Sequence, residues 1–136
     1  MKQNTLPLIT SYFVIMGDML NPQECTSFIG MSPTSYGIKG TKRKGGRPDV
    51  PFSFWKVSIE KKPCICIDDA INGILDLLQP HMNEILTFLK KPSITASLGS
   101  NITINDERPL YCLKPETIKK IAILNVEYSL DIFDYS

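Results

Sequence analysis

The chain has 136 residues, a formal net charge of +1, 43% hydrophobic residues and 21% charged residues. This length suits a single domain with one core, here residues 1–136, and the composition excludes a wholly disordered protein. A net charge near zero creates no overall field that would attract nucleic acid or an anionic membrane, so an electrostatic partner must be recognised by local patches.

The first elements are a strand over residues 8–16, rich in β-branched and aromatic side chains, and a short helix. Asn21 is expected to cap the helix and Pro22 to occupy its first position, while Gly30 closes it in the left-handed conformation. The side chains expected to face the core are Cys25, Phe28 and Ile29.

Residues 31–50 read as a flexible loop, with four glycines and an excess of cations. The cations of its central part are Lys39, Lys42, Arg43, Lys44 and Arg47. One interpretation is a docking surface for phosphate or an acidic partner; a solvated loop, partly a hairpin, explains the same pattern.

Residues 52–61 alternate and predict a strand that buries Trp55, Val57 and Ile59. The favoured interpretation places Trp55 in the core. The alternative is an exposed anchor for a partner, because tryptophan is enriched at binding hot spots.

A long amphipathic helix is predicted over residues 67–91, and the rest of the chain is expected to pack on its apolar stripe. Asp68 is the predicted N-cap. Pro80 removes a backbone donor and crowds the preceding turn, so a kink or two abutting helices are expected near Gln79.

Residues 93–104 predict either a hairpin or one strand with a bulge at Gly99, and residues 109–113 a short extended run. A last helix opens at Pro115 and is expected to end at Asn125 in the left-handed region. Its expected inner face is Ile118, Ile121, Ala122 and Leu124. A closing strand follows over residues 126–133.

This order, β-α-β-α-β-(β)-α-β, predicts an α+β fold. The sheet is expected to be mixed or mainly antiparallel, with about three helices packed largely on one face.

The histidine, carboxylate, serine and cysteine residues show no arrangement typical of an active site. We therefore expect a protein that is not an enzyme and that binds no metal or other cofactor. His81 lies off the apolar stripe and is expected to be exposed. Glu127, Asp131 and Asp134 lie near the C-terminus, and the first two share a strand face as an acidic strip. One interpretation is a strip that binds a metal or a basic partner; a solvated sheet face explains the pattern without either.

Cys25, Cys64, Cys66 and Cys112 are spread through the chain. A core of this size does not need disulfides, and the single residue between Cys64 and Cys66 is too short a spacing for paired zinc ligands. Four buried free thiols are expected, which favours a cytoplasmic protein.

Several motifs spread over nearly the whole chain resemble one bacterial family. They are Gly17-Asp18, Asn21-Pro22, the turn over residues 30–34, Phe54-Trp55-Lys56-Val57 and the closing run over residues 128–133. Together they look like the family called domain of unknown function 4279, with Phe133 where a tyrosine is expected.

The resemblance implies a small bacterial protein similar in style to the immunity proteins of polymorphic or contact-dependent toxin systems. The leading hypothesis is therefore a cytosolic immunity protein that binds and blocks one cognate toxin. The acidic strip or the basic loop would meet the toxin. No membrane partner is expected, nucleic acid is disfavoured, and the oligomeric state is open.

The alternative hypothesis is a small-ligand or nucleic-acid binding module, which would use the basic loop over residues 39–47 with Tyr36 and Trp55. Nucleic-acid binding would weaken steeply with salt, whereas a tight protein complex can survive high salt.

Overall fold

A computed structural model describes residues 5–136, in which helices lie against one face of a six-stranded sheet. The strands are β1 (Leu8–Gly17), β2 (Ser35–Gly37), β3 (Ser53–Ser58), β4 (Lys62–Pro63), β5 (Thr95–Ile104) and β6 (Glu127–Asp134). The helices are α1 (Pro22–Ile29), α2 (Ile67–Leu78), α3 (Met82–Phe88) and α4 (Pro115–Leu124). None of the helices within residues 5–136 is both long enough and apolar enough to cross a bilayer.

The sheet has the strand order β2-β3-β1-β5-β6, and β4 pairs with the beginning of β1. All pairs are antiparallel except β5 with β6, which are parallel and joined through α4. The predicted α+β class with a mixed sheet is confirmed. The three predicted helices correspond to α1, to α2 together with α3, and to α4.

The core lies between the sheet and the helices. Along β1, alternate residues including Phe13 and Ile15 are buried, as are Trp55 and Val57 on β3. The Trp55 side chain is fully buried, and its Nε1 donates a hydrogen bond to Thr26 Oγ1 at 3.1 Å. The core interpretation of Trp55 is confirmed, and its role as an exposed anchor is wrong because its ring does not reach the surface.

The long helix is broken where Pro80 predicts it. α2 ends at Leu78, a 3-10 turn covers Gln79–His81, and α3 begins at Met82. Proline has no N–H for the helical hydrogen bond and clashes with the preceding turn, so the regular α-helix is interrupted here. His81 is half-buried rather than exposed, because its Nδ1 lies 3.0 Å from the Ile29 carbonyl oxygen.

The ends of α1 are confirmed as predicted: the Asn21 side chain accepts the Gln23 and Glu24 N–H groups, and Gly30 has φ +79°. Asp68 does not cap its own helix. Cys66 occupies the N-cap position of α2, and Asp68 lies in the first turn. It is buried and accepts the Lys114 N–H at 2.9 Å, so it stabilises the start of α4 instead.

β5 is one uninterrupted strand, so the single-strand alternative is confirmed, whereas the hairpin and the bulge at Gly99 are wrong. Gly99 has another role, since a Cβ atom there would lie 2.2 Å from the Tyr12 ring. The glycine therefore makes room for the tyrosine of the neighbouring strand. The predicted run over residues 109–113 forms only an isolated bridge between Leu110 and Cys66.

Helical periodicity misplaced some apolar side chains. Phe28 is 45% exposed and Ile118 52% exposed, whereas the neighbouring polar Thr117 is buried. Short helices on a sheet bury a narrow stripe, so residues on its flanks remain at the surface.

Of the cysteines, Cys25 alone is buried, and the expectation of four buried thiols is wrong.

Candidate functional site

The face of the sheet that carries no helix, here called the open face, is the candidate functional site. Backbone alternation turns one set of side chains on each strand away from the helices. These include Tyr12, Val14, Met16, Phe54, Lys56, Ser97, Asn101, Glu127, Ser129 and Asp131. Together with Phe52 they line a shallow depression of about 530 Å³.

Opposite charges lie on the two sides of this face. The pairing register places Lys56, Val14, Ser97 and Glu127 in one row across four strands. Three strand spacings separate the ends of the row by about 14 Å. Lys56 and Glu127 are therefore too far apart to form an ion pair with each other, and both charges are available to a bound molecule.

Tyr12 lies between these charges at the centre of the face. Its ring lies over Gly99, and the Lys56 ammonium is 4.4 Å from the ring centroid, within range of a cation–π contact. Partial burial and the negative charges of Asp131 and Glu127 raise the pKa of the Tyr12 phenol. The phenol is therefore neutral at pH 7, with its hydroxyl able to donate a hydrogen bond.

A larger cleft of about 770 Å³ adjoins the depression and shares Met16, Ser97 and Glu127 with it. It lies between the end of α3 and the start of β6, and its lining is mainly aliphatic, including Leu86 and Leu124. The open face thus continues into an apolar cleft at one end of the molecule.

The structure separates the three predicted acidic residues. Glu127 and Asp131 lie opposite Ser97 and Asn101 on the open face, so the shared face of this acidic strip is confirmed. Asp134 lies on the other face of β6 and pairs with Arg108 at 2.7 Å. Hydrogen bonds from the Ser136 hydroxyl and N–H, with the Arg108 charge, hold the pKa of the Asp134 carboxyl below its usual value.

The basic loop connects β2 to β3 and continues their hairpin. Gly40 N–H donates to the Val50 carbonyl at 2.9 Å, and Lys39 pairs with Asp18 at 3.1 Å. The remaining cations are exposed at the hairpin tip: Lys42, Arg43, Lys44 and Arg47. They do not line the depression, but Phe52, which follows the loop, does. The hairpin therefore borders the open face.

Sequence reasoning missed Tyr12, Phe54 and Lys56 as members of this surface. The available signal was alternation, which placed Phe54 and Lys56 opposite the buried Trp55 and marked their side as the one away from the core. Their proximity to Glu127 depends on the strand order, because β6 is more than seventy residues away along the chain.

The fold and this surface define an α+β protein whose mixed sheet is covered by helices on one face and open on the other. A family model described as "Domain of unknown function (DUF4279)" matches residues 7–135, so the chain belongs to this family, and the resemblance is confirmed. No match to the chain was found among curated proteins or among solved structures.

Proposed function

We propose that this protein is an immunity-type binding protein that neutralises one cognate bacterial toxin in a tight protein–protein complex, with the open face as the contact surface. The observation that carries the proposal is the composition of that face. It has an apolar and aromatic centre, including Phe54 and Tyr12, and charged groups on two sides. Protein interfaces combine such a centre with a polar rim.

The open face is also pre-formed, which favours tight binding. Its side chains are carried by hydrogen-bonded strands, and Tyr12 is held between Gly99 and Lys56. A surface that is ordered before association loses less conformational entropy when the partner binds. The adjoining apolar cleft suits an anchoring side chain of the partner, as in binding hot spots.

The charge pattern defines the partner surface that fits. An acidic group is needed opposite Lys56, and basic groups are needed opposite Glu127 and Asp131. The basic loop and the ends of β2 and β3 together form a basic hairpin beside the open face. This hairpin extends the positive side of the face and adds a second contact for acidic groups.

The experiment is capture of the partner from the native lysate with the tagged full chain, compared with a charge-reversed variant. The wild type is expected to retain one stoichiometric polypeptide through a high-salt wash. The double variant E127K/D131K is expected to lose it. A matched control is the reversal of Glu84 and Glu116 to lysine, two exposed carboxylates on α3 and α4.

A second variant tests the shape of the face without changing its charge. In Gly99→Ala the new methyl group displaces the Tyr12 ring, because the space above Gly99 is filled by that ring. The amount of partner captured is expected to fall at least tenfold.

Toxicity then tests the biological role. Expression of the captured polypeptide alone should arrest growth, and co-expression of the wild type, but not of E127K/D131K, should restore it. Capture that survives both open-face variants would contradict the proposed surface. Recovery of nucleic acid that is released at modest salt would contradict the immunity role.

A further inference from the structure

β6 is an edge strand of eight residues, and no strand within residues 5–136 pairs with its outer side. The opposite edge of the sheet, β2, has three residues. Exposed edges offer unpaired N–H and C=O groups to other chains, and proteins usually shorten, charge or cover them. β2 is protected by its shortness, whereas β6 is long.

The direction of the backbone groups on β6 follows from one hydrogen bond. The Tyr135 N–H donates to the Ile104 carbonyl on β5 at 2.8 Å. Successive residues of a strand point their backbone groups to opposite sides, so the odd-numbered residues of β6 face β5. The even-numbered residues Tyr128, Leu130 and Ile132 therefore point their N–H and C=O groups outward.

Apolar side chains accompany this unpaired edge. Leu130 is 39% exposed and Ile132 48% exposed, and both lie on the helix side of the sheet. Their exposure places an apolar stripe next to backbone groups that lack partners among the described residues. A hydrophobic edge strand of this kind is suited to pairing with another strand.

α4 extends the apolar stripe. α2 packs on β1 and β5, and on α4 the Lys120 side chain reaches Asn72 of α2. Helical geometry places Ile118 and Ala122 on the opposite flank of α4, towards the outer edge of β6. Ile118 is exposed there, which explains why the predicted inner-face residue is not in the core.

We propose that this edge is a homodimer interface, in which β6 pairs antiparallel with β6 of a second copy about a two-fold axis at Leu130. The outward backbone groups of Tyr128, Leu130 and Ile132 then form hydrogen-bonded pairs with those of the copy. Leu130 lies opposite itself, and Tyr128 lies opposite Ile132 of the second copy. The interface is isologous, as in most dimers.

Charge favours this register over the neighbouring one centred on Asp131. Centred on Leu130, the pairing places Asp131 opposite Ser129 and Glu127 opposite Phe133, so no carboxylate directly faces another. Centred on Asp131, the next centre with the same backbone pairing, it would place two aspartates against each other, which is destabilising. Centred on Leu130, β6 therefore pairs with its copy over seven residues, 127–133, without placing one carboxylate directly opposite another.

The available area fits a dimer of modest affinity. An eight-residue strand is about 26 Å long, and a strand layer with a helix beside it is about 15–20 Å deep, which gives roughly 450 Å² per copy. The total approaches the ~1,000 Å² expected of a specific interface. The axis is perpendicular to the sheet, so both open faces remain free on one side of the dimer.

The experiment is sedimentation velocity of the full-length chain over a concentration series. The wild type is expected to reach twice the monomer mass. Leu130→Lys places two ammonium groups against each other at the axis and is expected to raise the dissociation constant at least 100-fold. The matched control is Ile123→Lys, an exposed isoleucine on the flank of α4 away from β6, which should remain dimeric.

A second variant at the same position distinguishes loss of the dimer from loss of the fold. Leu130→Pro removes the central outward N–H without removing a hydrogen bond to β5, and proline is tolerated on edge strands with this orientation. This variant is expected to be monomeric. Its Trp55 fluorescence spectrum is expected to match that of the wild type, which would show that the fold is retained. Lys56→Glu on the open face is expected to remain dimeric.

A wild-type monomer at every concentration would overturn the proposal. So would a dimer that persists in both Leu130 variants, or one that dissociates in Lys56→Glu alone, because each result would place the contact elsewhere. None of these results depends on the capture of a toxin, so the dimer and the proposed function are tested separately.

Discussion

Asp68 shows how one buried carboxylate connects two helices. Its Oδ1 accepts the Lys114 N–H at 2.9 Å, and its Oδ2 accepts the Asn72 amide at 3.2 Å. Burial by itself raises the pKa of this carboxyl. Hydrogen bonds from the Thr117 hydroxyl and the Lys114 N–H, with the charges of Lys114 and Lys120, outweigh that effect and hold the pKa below its usual value.

Asp68→Ala is expected to lower the free energy of unfolding by about 2–3 kcal/mol at pH 7, because charged hydrogen bonds at the start of α4 are lost. The folded-state pKa lies below the unfolded value of 3.8. The electrostatic contribution is therefore complete well above that value and is lost as the pH falls through the folded pKa. Urea unfolding followed by Trp55 fluorescence at pH 7, 5 and 3 measures it.

The control for Asp68 is Asp69→Ala, which removes an exposed carboxylate from the same turn. Its effect is expected to stay within about 0.5 kcal/mol. An Asp68→Ala effect as large at pH 3 as at pH 7 would show that lost packing, rather than the carboxylate charge, causes the destabilisation.

At the scale of an element, α4 ends through one backbone conformation. Asn125 has φ 55° and ψ 46°, and its N–H donates to the Ile121 and Ala122 carbonyls. This left-handed turn ends α4 two residues before β6, which pairs in parallel with β5. Asparagine and glycine adopt the conformation more readily than other residues.

Asn125→Ala is expected to lower the free energy of unfolding by about 1 kcal/mol, because alanine is strained in the left-handed region. Asn125→Gly, the matched variant, should change it by a few tenths of a kcal/mol. Thermal and urea unfolding measure both. If glycine destabilised as much as alanine, a side-chain contact of Asn125 rather than its backbone conformation would be responsible.

At the scale of the whole molecule, the stabilising contacts and the exposed charges lie in different places. The core lies between the helices and one face of the sheet. The basic hairpin projects beyond the end of β1, where Gly17 pairs with Ser53. Its tip contributes charge to the surface but no side chain to the buried core.

Replacing the hairpin cations Lys42, Arg43, Lys44 and Arg47 by glutamine is expected to leave the free energy of unfolding within about 0.5 kcal/mol, because exposed charges contribute little. The net charge falls by four from +1. Chemical denaturation measures the stability, and capture of the partner measures the hairpin's share of binding. A loss above about 1 kcal/mol would show that the tip packs on the body of the protein.

The elements with local signals were predicted from the sequence. Asn21 and Gly30 act within a few residues of their own positions, and Pro80 breaks the helix that contains it. Alternation placed Trp55 in the core and Glu127 and Asp131 on one face. In each case, the physical cause lies in the local chain.

Predictions failed where a distant residue was decisive. Gly99 suggested a turn, but its role is set by the Tyr12 ring of the adjacent strand. Asp68 suggested a cap for α2, but the N–H it accepts belongs to Lys114. Ile118 matched the inner face of a helix, yet it lies on the flank towards the edge of β6.

The sequence by itself determined the α+β class, most element boundaries, the family and the face on which each strand residue lies, because these depend on spacing along the chain. The tertiary structure decided which strands are neighbours. That order places Lys56 and Tyr12 on the same surface as Glu127 and Asp131, and leaves β6 at the edge. Such contacts join residues far apart in the chain, and local periodicity carries no information about which strands will pair.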